Sequence, residues 1–288
     1  MKKVLILGST GMLGHQVFFN LEKSKQFEIY DLSFRNKLRA ETIICDITDF
    51  TKLEVIIKEI APDVLVNCIG ILIQGSNQNP KNSILINAYF PHWLTSVADA
   101  TGSKVIHIST DCVFSGKKGA YVESDFRDAD DVYGRGKALG EIFSNKHLTL
   151  RTSIIGPEIK KNGEGLFHWF MNQNVEVNGF TKAYWGGVTT TELSKVIFRA
   201  ITENLSGLYH VTNGEAISKY ELLSLFNKTF DRGVKINSVE GKSVDKSLKS
   251  EKPEIDFSIP SYEIMIEEMK TFMSEKESLY SSIYPNAG

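Results

Sequence analysis

The sequence predicts an α/β fold, a doubly wound parallel sheet with a smaller C-terminal lobe. Two observations carry this. Short apolar runs alternate with segments of helical periodicity through about residue 155, as strands joined by crossover helices do. A glycine loop, Gly8-Ser-Thr-Gly11-Met-Leu-Gly14, directly follows the first apolar run and opens the first helical pattern.

The elements follow in order. Lys3–Leu7 reads as a buried strand, Gly11–Leu21 as a helix and Glu28–Leu32 as a second strand. Thr42–Cys45 is a short strand. In 51–60, Leu53, Ile56, Ile57 and Ile60 recur at helical spacing, with Thr48 or Asp49 as cap. Asp63–Asn67 is a strand, and 82–100 a long helix that Pro91 should kink or divide. Lys104–Ser109 is the next strand, 133–144 the next helix and Leu148–Thr152 the next strand. Glycines and asparagines punctuate 156–187, as in loops that shape a pocket. Beyond them, 190–204 and 218–229 read as helices, 207–212 and 234–238 as strands, and about 261–279 as a last helix. Residues 1–156 therefore form the nucleotide-binding half, to which parts of 190–212 return, and 157–288 form mainly a second lobe.

A chain of 288 residues can bury a large core, and 42% hydrophobic with 24% charged residues is an ordinary globular composition. A net charge of −2 provides no electrostatic basis for binding nucleic acid or an anionic membrane. Cys45, Cys68 and Cys112 are too few and too spread for a disulfide framework or a thiolate metal site, so reduced thiols and no bound metal are expected. The apolar run at the start is cut off by Gly8, too short for a signal peptide, and no stretch reaches the ~18 apolar residues of a membrane span. A cytoplasmic location is the expectation.

The glycine loop has the context of a Rossmann dinucleotide site. Gly8 permits the tight turn, Gly11 lets the backbone approach a pyrophosphate, and Gly14 allows close helix–strand packing; Thr10, Met12 and Leu13 complete the loop. The spacing is GxxGxxG. Asp31, near the end of the second strand, could hold a ribose 2′-hydroxyl, whereas Arg35 could pair with a 2′-phosphate, so NADPH and NADH both stay open. Asp46, with Ile47 beside it, is placed to contact the adenine edge. Cys68, Ile69 and Gly70 end the next strand where the chain would pass the dinucleotide, and Asn87 is counted with them.

The chemistry lies downstream. Reducing a ketone needs a hydride on carbon and a proton on oxygen, and a free tyrosine, with pKa about 10, is a poor source of that proton. Tyr133 and Lys137 stand four apart on one helical face, so an ammonium can lower the phenol's pKa. A hydroxyl at the end of the neighbouring strand can bond the substrate oxygen. Thr110 is the choice and Ser109 the alternate, because alternation turns just one of them to the pocket. Asp111 could bond the phosphate-side backbone, assist the acid–base step or simply cap the strand end.

These motifs resemble the extended short-chain dehydrogenase/reductases, and more narrowly the dTDP-4-dehydrorhamnose reductase family. The resemblance rests on Gly8–Gly14, on Ser109-Thr-Asp-Cys-Val-Phe114 with Gly116, on Tyr133-Gly-Arg-Gly-Lys137 with Gly140-Glu141, and on Arg151-Thr-Ser-Ile-Ile-Gly156. It implies NADPH-dependent reduction of the 4-keto group of a nucleotide-diphosphate deoxysugar, with NADH possible, in the biosynthesis of cell-surface polysaccharide sugars. Thr110 would polarise the ketone, Tyr133 donate the proton, and Lys137 also hold the nicotinamide ribose. Ser109, Asp111, Val113 and Phe114 would line the substrate, and 179–188, with Trp185 and Gly186, would wall the sugar; lobe core is the other reading of Trp185. The chain departs from the family pattern at Cys112 and across 67–78, which leaves the sugar and its nucleotide base open.

Three other readings compete. A sugar-nucleotide epimerase would use the same residues. A dehydratase needs a further acid/base pair, and Cys112 after Asp111 argues against it. A non-catalytic, dinucleotide-binding regulatory subunit would lack Tyr or Lys, and both are present. Homodimers are common on this scaffold. Glu192 could join a metal-linked contact between subunits, although a solvated acid at a helix N-terminus is the plainer reading.

Overall fold

A computed structural model describes residues 1–285. Seven strands make the main sheet: β1 (Lys2–Leu7), β2 (Phe27–Ser33), β3 (Ile43–Ile44), β4 (Val64–Asn67), β5 (Lys104–Thr110), β6 (Leu148–Thr152) and β7 (Gly207–His210). Their order is β7-β6-β5-β4-β1-β2-β3. β1 pairs in parallel with β2 and β4, and β4 with β5. The chain thus winds outward from β1 in one direction and then, from β4, in the other. The switch lies beside β1, and a ligand crevice opens at the carboxyl ends of strands at such a point. The Gly8–Gly14 loop leaves β1 there.

The core explains why these segments are strands. Leu5, Leu7, Leu65 and Val105 meet Leu53 and Ile57 of helix Phe50–Ile60, and Phe90 and Leu94 of helix Phe90–Thr101. All four residues of β4 are buried, as expected for a strand covered on both faces. Asp49 caps its helix by accepting from Lys52 N.

Three boundaries differ from the sequence reading. The long helix over 82–100 is divided: a short turn at Pro80–Ser83, a π-helix at Ile84–Tyr89, then an α-helix from Phe90 to Thr101. Pro91 has no N–H and would crowd the carbonyl of Asn87, so regular α geometry cannot run through it. The helix that carries Tyr133 is Val132–Leu139, ending before 144. Gly140 caps it, and a Cβ there would lie 2.0 Å from the Asn87 carbonyl oxygen. The expected loops of 156–187 contain a helix, Leu166–Met171, and strands Glu176–Phe180 and Ala183–Trp185.

The chain folds as two compact units. The first comprises Met1–Val113, Ala129–Arg151 and Ser194–Tyr209. The second comprises Phe114–Asp128, Thr152–Leu193 and the chain from His210 onward. The sequence alone suggests a boundary near 156 with parts of 190–212 returning to the first half; Ser194–Tyr209 does lie in the first unit, but 114–128 joins the second. There Tyr121 N donates to Ser247 O and Lys249 N to Tyr121 O, both at 2.8 Å. That pairing spans more than 120 residues of chain, so no local pattern announces it. The second unit also holds helices Lys219–Thr229 and Tyr262–Glu275. The first of these is closed by a capping box between Ser218 and Glu221. Phe167 packs there against Phe226, Phe230 and Tyr284. Among the described residues, no helix is long and apolar enough to cross a membrane.

Candidate active site

The glycine loop forms a cradle that side chains would fill. Gly8 has φ +88°, and Gly8 N and Ser9 N both donate to Leu32 O, tying the loop to β2. A Cβ on Gly14 would lie 2.1 Å from the Gly8 carbonyl oxygen, so only glycine lets helix Gly14–Ser24 start this close to β1. The helix has no acidic residue in its first turn and no side-chain cap, which leaves its N-terminus suited to a phosphate. His15 sits inside this turn with its Nδ1 2.7 Å from Gly11 O. Burial holds its pKa down to about 4, so it is neutral and donates from Nδ1 to that carbonyl. The sequence reading missed His15; a histidine directly after the third glycine was the available signal.

The adenosine end departs from expectation. Asp31 is buried and committed: Ser9 Oγ donates to it at 2.7 Å and Arg39 Nε at 2.9 Å. Each of its carboxylate oxygens thus already accepts one bond. Arg39, eight residues on, was not foreseen. Its guanidinium lies 4.8 Å over the Phe18 ring, and Nη2 donates to Ile29 O. Arg35 is exposed and stacks on Phe34 at 4.5 Å. Asp46 is exposed and accepts from Thr48 N and Oγ1, while Ile47 is buried. Along 67–71, Cys68 N donates to Leu7 O, and Asn87 clamps the Ile71 peptide through both amide atoms. Asn87 thus fixes the backbone beside Gly70.

At the end of β5 the adjacent hydroxyls part company. Ser109 Oγ donates to Glu141 Oε1 at 2.6 Å, and Glu141 holds Arg151 through two bonds of 2.7 Å. Ser109 therefore serves a buried ion pair, not the pocket expected of it. Thr110 Oγ1 accepts from Cys112 N and donates to Asp111 Oδ1 at 3.0 Å. Asp111 is accordingly the acceptor behind Thr110. Asp131 caps the helix of Tyr133 by accepting from Gly134 N at 2.8 Å. Gly134 is required there, because a Cβ would meet the Cys112 carbonyl at 2.2 Å.

Tyr133 and Lys137 are both buried on this helix. The electrostatics differ from expectation. Burial pushes the phenol far above its ordinary value, Cys112, Asp111 and Asp131 add to the rise, and Thr110 opposes it. Lys137 Nζ turns to Ile108 O at 2.6 Å instead of acidifying the phenol, and burial lowers the amine to about 8 against the pull of Glu141.

The residues expected to line the sugar are core. Val113 and Phe114 are fully buried, and Phe114 stacks on Tyr121 at 4.2 Å. Trp185 is 4% exposed; its Nε1 donates to Ser153 Oγ and its ring lies 5.6 Å from that of Tyr262. A Cβ on Gly186 would press on the Ser247 backbone at 3.0 Å. Glu192, read as a solvated acid, is buried, with its N–H on Thr189 Oγ1. Among the described residues, no group of three or more His, Cys, Asp or Glu is disposed to hold a metal.

Residues 1–254 match the model of a protein family described as the RmlD substrate binding domain. The chain belongs to this family. Among its relatives, a dTDP-4-dehydrorhamnose reductase of Aggregatibacter actinomycetemcomitans is 27% identical over 79% of each chain. A methionine adenosyltransferase 2 subunit beta of Danio rerio is 24% identical over 80% of this chain and 74% of its own. The fold matches the crystal structure of a dTDP-4-dehydrorhamnose reductase of Bacillus anthracis in complex with NADP. The TM-score is 0.80 at 24% identity, over 94% of this chain and 99% of that one. As an RmlD-family member of the extended short-chain dehydrogenase/reductase type, the chain keeps tyrosine and lysine on one helix beside a hydroxyl-ended strand.

Proposed function

We propose that this chain reduces the 4-keto group of a nucleotide-diphosphate deoxysugar with NADPH, in the biosynthesis of cell-surface polysaccharide sugars. The observation that carries the reading is Thr110, bonded to Asp111 at the end of β5, with Tyr133 and Lys137 buried on one helix. The glycine cradle fits a pyrophosphate, and Gly8, Gly11 and Gly14 with the following helix would hold it. Ser9 and Arg39 already occupy both oxygens of Asp31, while Arg35 and Arg39 supply positive charge; both features favour NADPH over NADH.

A bound nicotinamide supplies the hydride. The protein supplies the proton. Burial keeps the Tyr133 phenol protonated at neutral pH, the state a reductase needs before reaction. An oxygen that gains hydride on its carbon becomes an alkoxide, a stronger base than phenolate, so transfer from Tyr133 runs downhill. Thr110, held in place by Cys112 N, would turn its single O–H from Asp111 to that oxygen. Lys137 would steady the nicotinamide ribose.

A second reading, a dinucleotide-binding regulatory subunit, draws on the methionine adenosyltransferase 2 subunit beta relatives. The test mixes the chain with NADPH and a dTDP-4-keto-6-deoxy sugar and follows both by absorbance and mass spectrometry. Stoichiometric oxidation of NADPH with a hydroxy sugar as product supports the reductase. Interconversion of sugars without net oxidation points to an epimerase, and cofactor binding without turnover to the regulatory subunit.

A further inference from the structure

Behind Lys137 lies a polar pair that the proposed chemistry leaves unused. Asn67 on β4 and His107 on β5 face each other in register, and both are buried. Asn67 Nδ2 is 3.1 Å from His107 Nδ1, and His107 Nε2 is 3.4 Å from Lys137 Nζ. One backbone group sets the polarity of this chain. Ile69 N donates to Asn67 Oδ1 at 3.1 Å, so the amide oxygen is taken and Nδ2 must face the imidazole. His107 Nδ1 then accepts. The ring is neutral, because burial and the nearby Lys137 and His92 hold its pKa well below the ordinary value. Its single proton therefore belongs on Nε2, toward Lys137.

We infer that His107 is a positioning residue: Asn67 locks it as the Nε2–H tautomer, so the Lys137 amine finds a donor behind it where an acceptor would draw its protons back. One Lys137 N–H is satisfied by Ile108 O. With Nε2 protonated, the others would point away from His107. An imidazole of the opposite tautomer would capture one of them and slacken any grip on a ligand. The ligand itself, the hydroxyls of a nicotinamide ribose, rests on the proposed function; the tautomer does not.

Long-range ¹H–¹⁵N spectra of the ¹⁵N-labelled full chain at pH 7 read the tautomer directly, with His107→Gln identifying the resonance by its disappearance. A protonated Nε2 and a bare Nδ1 are expected. A proton on Nδ1, or an imidazolium, overturns the inference. Calorimetric titration with NADPH supplies the second arm. Asn67→Asp reverses the lock: its carboxylate accepts from both Nδ1–H and Ile69 N, which leaves Nε2 an acceptor facing Lys137, and it should bind about ten-fold more weakly. His107→Leu offers the amine no acceptor and should bind within about two-fold of wild type. An Asn67→Asp variant that binds like wild type, or a leucine variant about ten-fold weaker, also overturns the inference. Should either variant fail to fold by circular dichroism, the wild-type tautomer still decides. A wild-type chain that ignores NADPH sinks the proposed function alone and leaves the spectra to judge His107.

Discussion

Ser109 and Thr110 end the same strand, yet the two faces they serve handle polarity in different ways. On the Ser109 face, the hydroxyl, Glu141 and Arg151 close on one another, with the ion pair almost wholly excluded from water. Every strong donor and acceptor is spent internally, and the result is structure. On the Thr110 face, the hydroxyl leans on Asp111 and Cys112 N and meets a phenol whose own proton can still leave. One residue of strand alternation separates a finished network from one with a transferable proton. Hydroxyls in a motif therefore cannot be given roles by type; the direction of the side chain decides.

Substitutions can break this contrast. The largest effect belongs to the Thr110 face. Tyr133→Phe should lower turnover by about 10³-fold while the dissociation constant for NADPH stays nearly unchanged, since only proton transfer is lost. Steady-state kinetics beside calorimetry checks this, and an active phenylalanine variant would reject Tyr133 as the acid. Next comes the Ser109 face. Arg151→Met strands the Glu141 carboxylate in the core and should cost about 3–5 kcal/mol in denaturant unfolding. A loss below about 1 kcal/mol would mean that the pair is not desolvated as the geometry indicates.

The third prediction concerns the glycine cradle. Folded His15 titrates near 4 and an unfolded histidine near 6.5. Between those values the unfolded chain binds the extra proton, so stability present above about pH 6.5 drains as the pH falls toward 4. Unfolding midpoints of wild type and His15→Gln across that window should differ in slope, with up to about 3 kcal/mol at stake. Parallel curves would show that His15 does not stay neutral in the fold. The smallest effect sharpens the opening contrast. Ser109→Ala should cost about 1 kcal/mol of stability and leave turnover within about two-fold, whereas Thr110→Val should lower turnover at least ten-fold. Equal losses of turnover for both variants would erase the distinction between the two faces.

Much of the first unit was legible because short-range patterns govern it. Short apolar runs located all seven sheet strands to within one residue at each end, apart from the two-residue trim at the end of β7. Pro91 announced the division of its helix, and the Gly8–Gly14 spacing announced the turn after β1. What stayed hidden are partners distant in sequence. Asp31, read as a ribose acceptor or a loop charge, turns out to accept from Ser9 and Arg39. Trp185, read as pocket wall or lobe core, is enclosed by Ser153 and Tyr262. Lys137 looked like the activator of Tyr133, but the Ile108 carbonyl holds its amine.

The sequence by itself determined where the backbone turns, which residue types stand at the carboxyl ends of β1 and β5, and that Tyr133 and Lys137 share a helix face. Those properties follow from steric limits on φ and ψ and from periods of 2 and 3.6 residues, which act over a few positions. Only the tertiary structure decided which polar groups are consumed and which remain for chemistry. Burial makes every unpaired donor or acceptor costly, so Ser109, Asp31 and Trp185 each take partners brought from elsewhere in the chain.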